Sequence, residues 1–260
     1  MTETVQPPPA VDTPRPVNAV GAALLLSWLA LGVLLARAQG PVGPLTFAFV
    51  LVGWVLSVMA HEFCHAAVAW LGGDVTVVQK GYLSFDPRRY GDVGTSLVLP
   101  LLALVLGGFG LPGGAVYLRN DLMRGRGWRS AAALAGPGAT LAILLVLTSV
   151  LRLWENAGAE GPLFPALTVL AFLQAMAFLL NILPLPGLDG FNAVRPFLPA
   201  TLGPRLRKAE GLTMGLLFLA LFLVPGVGRL LFGAAANLGV ALGLDPQALA
   251  EGWRAFRFWR

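Results

Sequence analysis

The sequence predicts an all-α polytopic membrane protein with about six membrane segments, one of them re-entrant, and a short membrane-associated β-hairpin. Three observations carry this. Of the 260 residues, 57% are hydrophobic and only 12% charged, with a mean hydropathy of +0.75. An ordinary soluble domain has about a quarter charged residues, so a water-covered surface of normal size cannot be built here. The apolar residues are also gathered into stretches near the ~20 residues that a membrane-crossing helix requires. Finally, the residues able to do acid–base or metal chemistry lie inside or beside those stretches, where ionisable groups are costly and functional by default.

Taken in chain order, residues 1–19 are proline-rich with no apolar run, the composition of a disordered tail. They lack the basic start and small-residue cleavage site of a signal peptide. Apolar stretches follow at Val20–Ala36, Leu45–Leu71, Leu97–Pro112, Ser130–Leu151, Leu163–Leu183 and Gly211–Leu244. The last is divided by Pro225 and Arg229, which leaves open whether it crosses once or folds as a hairpin. Val75–Val78 and Tyr82–Phe85 are β-branched and aromatic around Gln79-Lys80-Gly81, and this pattern predicts the hairpin. In the tail 245–260, Trp253–Arg260 alternates Arg with aromatics, as an interfacial anchor does. The predicted organisation is therefore a tail (1–19), a membrane-embedded domain (20–244, core 45–190) and an interfacial tail (245–260).

Leu97–Pro112 is short and broken by Pro100, Gly107-Gly108 and Pro112, and charge decides how it is placed. If it enters and leaves on the side of the N-terminus, Arg15, Lys80, Arg88, Arg89, Arg119, Arg124, Arg126, Arg129, Arg195, Arg205, Arg207 and Lys208 share that side. Only Arg37 and Arg152 then face the other. Full crossing makes the split much weaker. Positive residues concentrate on the cytoplasmic side, so the re-entrant layout is preferred and puts the N-terminus in the cytoplasm. The basic residues form no dense stripe, and the net charge of +5 does not point to nucleic acid. A single cysteine, Cys64, excludes an intramolecular disulfide and reads as a small buried hydrophobe.

The only two histidines stand four residues apart in His61-Glu62-Phe63-Cys64-His65. Positions i and i+4 share a helix face, so both imidazoles can reach one metal ion, with Glu62 beside them as a base acting on metal-activated water. A catalytic zinc takes three protein ligands, and no further histidine exists. Among the carboxylates, Asp189 follows the fifth apolar stretch in a Pro/Gly-dense run, Asn181–Gly190, that can unwind and fold back into the bundle. Topology favours it. The histidines lie about 9–15 Å from one end of their helix, and only the re-entrant layout delivers Asp189 to that same end.

His61–His65 together with Asn181–Gly190 resembles the site-2 protease family of intramembrane zinc metalloproteases, and Ala135-Gly136-Pro137 is similar to the family's intervening segment. The resemblance covers about Trp54 to Gly190, in the compact prokaryotic form without a PDZ or CBS domain. It implies one Zn2+ held by His61, His65 and Asp189, Glu62 as the catalytic carboxylate, and Asn181 on the substrate backbone. The implied partners are a transmembrane protein substrate and the lipid bilayer, and the implied location is the prokaryotic plasma membrane. The family often has Asn three residues after Ala-Gly-Pro; this chain has Thr140, which can also hydrogen-bond. The hairpin would offer an edge strand to an unwound substrate. Two other readings stand beside this one. One is a metalloprotease of the CAAX-processing or heat-shock type, with Glu210 or Glu251 as third ligand, since Glu155 falls on the opposite side in the preferred layout. The other is a metal-binding transporter or scaffold without hydrolysis, against which Glu62 argues, because transport needs ligands but no base.

Overall fold

The computed structural model describes residues 19–90, 104, 116–158 and 160–259, with the side chains of 200 and 204–208 left aside. The described residues form helices and turns and no strand. In order these are α1 (Ala19–Ala36), α2 (Val42–Gly72), α3 (Thr76–Gln79), α4 (Arg126–Asn156), α5 (Leu163–Asn181), α6 (Asp189–Val194), α7 (Gly203–Leu223), α8 (Pro225–Ala241) and α9 (Pro246–Phe256). Four of them, α1, α2, α4 and α5, are long and apolar enough to cross a membrane. A fifth crossing results if the pair made of Ala209–Leu223 and α8, bent by 91°, counts as one span. The described residues thus hold four to five candidate spans where about six segments were expected. The predicted re-entrant stretch Leu97–Pro112 lies outside the described residues except for Leu104, which is buried in the main core. The predicted tail lies outside them up to residue 18.

Helix α5 is the axis of the bundle and is buried along most of its length. It packs against α4, α8, α9 and α2, and Val169, Leu173 and Met176 are fully enclosed in the core. The surrounding helices are apolar outside as well as inside; Leu26, Leu153 and Leu230 are exposed. A helix that is apolar all round is stable only within protein or lipid. Helix α2 ends where Gly73 takes φ +118°, a left-handed cap in which the Gly73 and Asp74 N–H groups bond back to Trp70 and Ala69. Pro246 opens α9, whose N-cap Asp245 accepts from the Gln247 and Ala248 N–H groups. Residues 245–259 are therefore mostly a helix laid on α5 and α2, with Phe256 fully buried and Phe258 and Trp259 exposed.

The hairpin expected over Val75–Phe85 is not formed; the segment is α3 followed by turns. The reason is local. Asp74 is fully buried, and its carboxylate accepts from the Thr76 N–H at 3.0 Å and the Thr76 hydroxyl at 2.6 Å. The Arg119 N–H, at 2.7 Å, binds its second oxygen. An Asx turn from a buried aspartate just before Thr76 favours a helical turn over the β preference of Val77 and Val78, which is a preference for a packed pleated surface rather than for a backbone shape.

Candidate metal centre

Helix α2 sets His61 and His65 one turn apart, both buried, with ring centroids 4.7 Å apart. Helix α4 forms the wall they face, and it fixes both rings. His65 Nδ1 lies 2.7 Å from the Ala132 carbonyl, which can only accept, so Nδ1 carries the hydrogen. His61 Nδ1 lies 2.9 Å from the Thr140 hydroxyl oxygen, and that hydroxyl donates to the Gly136 carbonyl at 3.3 Å. His61 Nδ1 is then the donor to Thr140. Both rings therefore turn an Nε2 lone pair inward, in the manner of metal-binding histidines held by a hydrogen bond on the other ring nitrogen.

The third group arrives from beyond α5. Asn181 closes α5, the chain turns through Pro184 and Pro186, and Gly187 takes φ +99°. Asp189 then opens α6. Gly190 is required by proximity, since a Cβ there would stand 2.1 Å from the Ile182 carbonyl oxygen. The loop closes on itself through that contact and turns Asp189 back onto the histidines. Its Oδ2 lies 3.1 Å from His61 Nε2 and 3.4 Å from His65 Nε2, and the two Nε2 atoms are 3.0 Å apart.

This triangle fits a metal ion. Tetrahedral zinc bonds N and O ligands at about 2.0–2.2 Å, which separates neighbouring ligand atoms by about 3.4 Å. In the tautomers fixed by α4, three electron-pair donors converge with no hydrogen between them, and a cation relieves their repulsion. Gly136 leaves the space beside both rings open: a Cβ there would fall 2.2 Å from His65 Nε2 and 2.6 Å from His61 Nε2, far inside van der Waals contact. Among the described residues, His61, His65 and Asp189 form the one group of His, Cys, Asp or Glu side chains close enough to hold an ion. Glu210 is instead paired with Arg195 at 2.6 Å, Glu155 lies at the last turn of α4 and Glu251 is exposed on α9. Cys64 is half-buried and outside the group.

Glu62 is buried beside the histidines, and its Oε2 accepts from the Val116 N–H at 3.1 Å. Thr140→Val removes the acceptor for His61 Nδ1–H while keeping the side-chain shape. Zinc affinity, measured by competition with a chromogenic chelator, is expected to fall about 10–100-fold, and Thr140→Ser to restore it.

No protein-family model matches the chain, and no solved structure matches it significantly. Curated proteins do. The "Putative zinc metalloprotease Rip2" of Mycobacterium tuberculosis H37Rv is 38% identical over 257 residues, covering 99% of this chain and 96% of that protein. The protein of the same name in Mycolicibacterium smegmatis is 35% identical over 260 residues, covering 100% and 96%. YwhC of Bacillus subtilis, of the same description, is 28% identical over 184 residues, covering 68% and 81%.

The chain belongs to the site-2 protease family. The two motifs that mark the site-2 protease resemblance are the ones the fold joins: His61 and His65 meet Asp189 across 128 and 124 positions of chain. Asn181 is buried at the end of α5 and borders the same small cavity as His61 and Thr140. Sequence reasoning missed the parts played by Ala132, Gly136 and Val116. Ala132 and Val116 act through backbone atoms, which no side-chain pattern reports. Gly136 had a signal, a residue without a side chain within the Ala135-Gly136-Pro137 match.

Proposed function

We propose that this protein is an intramembrane zinc metalloprotease, hydrolysing peptide bonds within or near transmembrane segments of other membrane proteins. The observation that carries this reading is the convergence of two imidazole lone pairs and a carboxylate beside Glu62, within a 31-residue helix apolar enough to span a bilayer. A soluble substrate would have no reason to meet a site at that depth.

His61 and His65, through Nε2, and Asp189, through its carboxylate, would hold one zinc ion. When bound, zinc supplies Lewis acidity, activating water for attack and polarising the scissile carbonyl. Glu62 takes the proton of the attacking water and returns it to the leaving amine, its orientation held by the Val116 N–H. Asn181 is suited to bind the substrate backbone, which must be locally unwound because a helical carbonyl is already hydrogen-bonded and shielded. An apolar cavity of about 630 Å³ between α1, α2, α4 and α5 offers a way in from lipid, and Ser57 lines both it and the small cavity at His61. The excess of Arg and Lys on one side supports a cytoplasmic N-terminus, and the compact family form supports a prokaryotic plasma membrane as the location.

The test is cleavage of a panel of model transmembrane substrates in liposomes, with zinc content measured alongside. The wild type should bind one zinc per chain and cut, and a chelator should stop it reversibly. Asp189→Ala should lose zinc and cleavage together. Full zinc and full activity in Asp189→Ala would remove Asp189 from the ligand set and end this reading of the site.

A further inference from the structure

Helix α5 carries one strongly polar side chain inside its span that nothing above uses. Gln174 is 1% exposed, and its Nε2 finds no hydrogen-bond partner among the described residues. A buried amide donor left unsatisfied in an apolar setting is costly, and such groups are rare in native proteins. Gln174 lines a small cavity bounded on α2 by Trp54, Ser57, Val58 and His61, on α4 by Thr140, and on α5 by Ala177 and Asn181. The space open to the centre of a water molecule is about 20 Å³, and ~10–15 Å³ is enough to hold one. Several polar side chains border it, as a buried water requires.

The helix explains the cavity. Gln174, Ala177 and Asn181 stand at i, i+3 and i+7 and share one face of α5. Their Cα atoms are about 10 Å apart along the axis, both side chains border the same space, and the small Ala177 between them leaves it unfilled. A water in that space can accept from the Gln174 amide and donate onward to Asn181.

We propose that Gln174 is a positioning residue for proteolysis, holding a buried water that fixes the Asn181 amide towards the substrate backbone. This rests on the protease reading above and on the role given there to Asn181. It also accounts for a polar residue in the most buried span: the donor is satisfied by water, and the cost of burying it is offset by a pre-set Asn181.

The experiment compares wild type, Gln174→Met, Asn181→Ala and the double variant in liposomes, reading kcat, KM, zinc content and Tm. Methionine keeps the length and volume of glutamine and removes its donor. Gln174→Met should lower kcat about tenfold, the size of one lost buried hydrogen bond. KM and zinc should be unchanged and Tm unchanged or raised. In the Asn181→Ala background the same substitution should change nothing further, because the residue it acts through is gone. Unchanged kcat in Gln174→Met, a fall accompanied by lost zinc or lowered Tm, or additive losses in the double variant would each overturn the proposal. Absence of cleavage by wild type loaded with zinc would count against the protease reading itself, and the proposal would fall with it.

Discussion

Glu62→Gln is expected to lower cleavage by about 10²–10⁴-fold, the usual contribution of a general acid–base group, while the chain keeps one zinc. The substitution is isosteric, and the amide oxygen can still accept from the Val116 N–H that holds the carboxylate now. What disappears is basicity: an amide cannot take a proton from water or return one to an amine. The metal should stay, because the three converging donors are His61, His65 and Asp189, and none of their partners on α4 is touched. Initial cleavage rates in liposomes, with zinc per chain measured on the same preparation, check both halves. A Glu62→Gln variant that cuts within tenfold of wild type would assign the proton transfers to another group. One that loses zinc would make Glu62 a ligand.

Much of the site was legible in the sequence because its chemistry is written in side chains. His61, Glu62 and His65 are readable from helical spacing alone, since a shared face follows from 3.6 residues per turn. Asp189 could be reached by combining a broken helix end with the charge balance of the loops, even though the pairing spans more than a hundred residues. The hairpin shows the opposite case. Val75–Phe85 has the composition of strands, but the outcome was decided by Asp74, whose buried carboxylate turns the chain at Thr76 and holds the Arg119 N–H. β-propensity records how side chains fit a sheet surface, and here no neighbouring strand supplies one among the described residues. The number of crossings was less legible, because apolar length measures the ability to cross a membrane and not the path of the chain. The stretch before and after Pro225 makes this concrete, bending by 91°.

Helix α4 was the least legible part of the centre, although it does most to set the histidines. Its contribution comes from the Ala132 carbonyl, the Thr140 hydroxyl and the bare Cα of Gly136, all presented on the face turned to α2. Thr140 departs from the asparagine common in the family, yet its hydroxyl oxygen lies 2.9 Å from His61 Nδ1. The function of that position here is to accept a hydrogen bond, and a threonine does so while its own hydroxyl stays satisfied by Gly136. A helix that bonds both rings through its own turn makes the tautomer of each histidine a property of α2–α4 packing. Anything that shifts α4 along α2 should therefore weaken metal binding before it unfolds the bundle.

Gly136→Ala should show this most sharply, with zinc affinity lowered more than about 100-fold and cleavage no longer detectable. The added Cβ would stand 2.2 Å from His65 Nε2 and 2.6 Å from His61 Nε2, far inside van der Waals contact and in the space an ion would use. Neither ring can swing away cheaply, since each is bonded through Nδ1 to the same helix that brings the methyl group. The alternative is for α4 to retreat from α2, which breaks both bonds at once. Intrinsic helix propensity works the other way, favouring alanine over glycine by about 1 kcal/mol, so the helical content should persist. Gly138→Ala is the matched control: a Cβ there meets nothing within 4 Å, and this variant should bind zinc and cut as wild type does. Circular dichroism, zinc content and cleavage on the two variants distinguish a blocked centre from a damaged fold. Full zinc in Gly136→Ala would mean that the ion lies elsewhere and that the close approach of α4 serves packing alone.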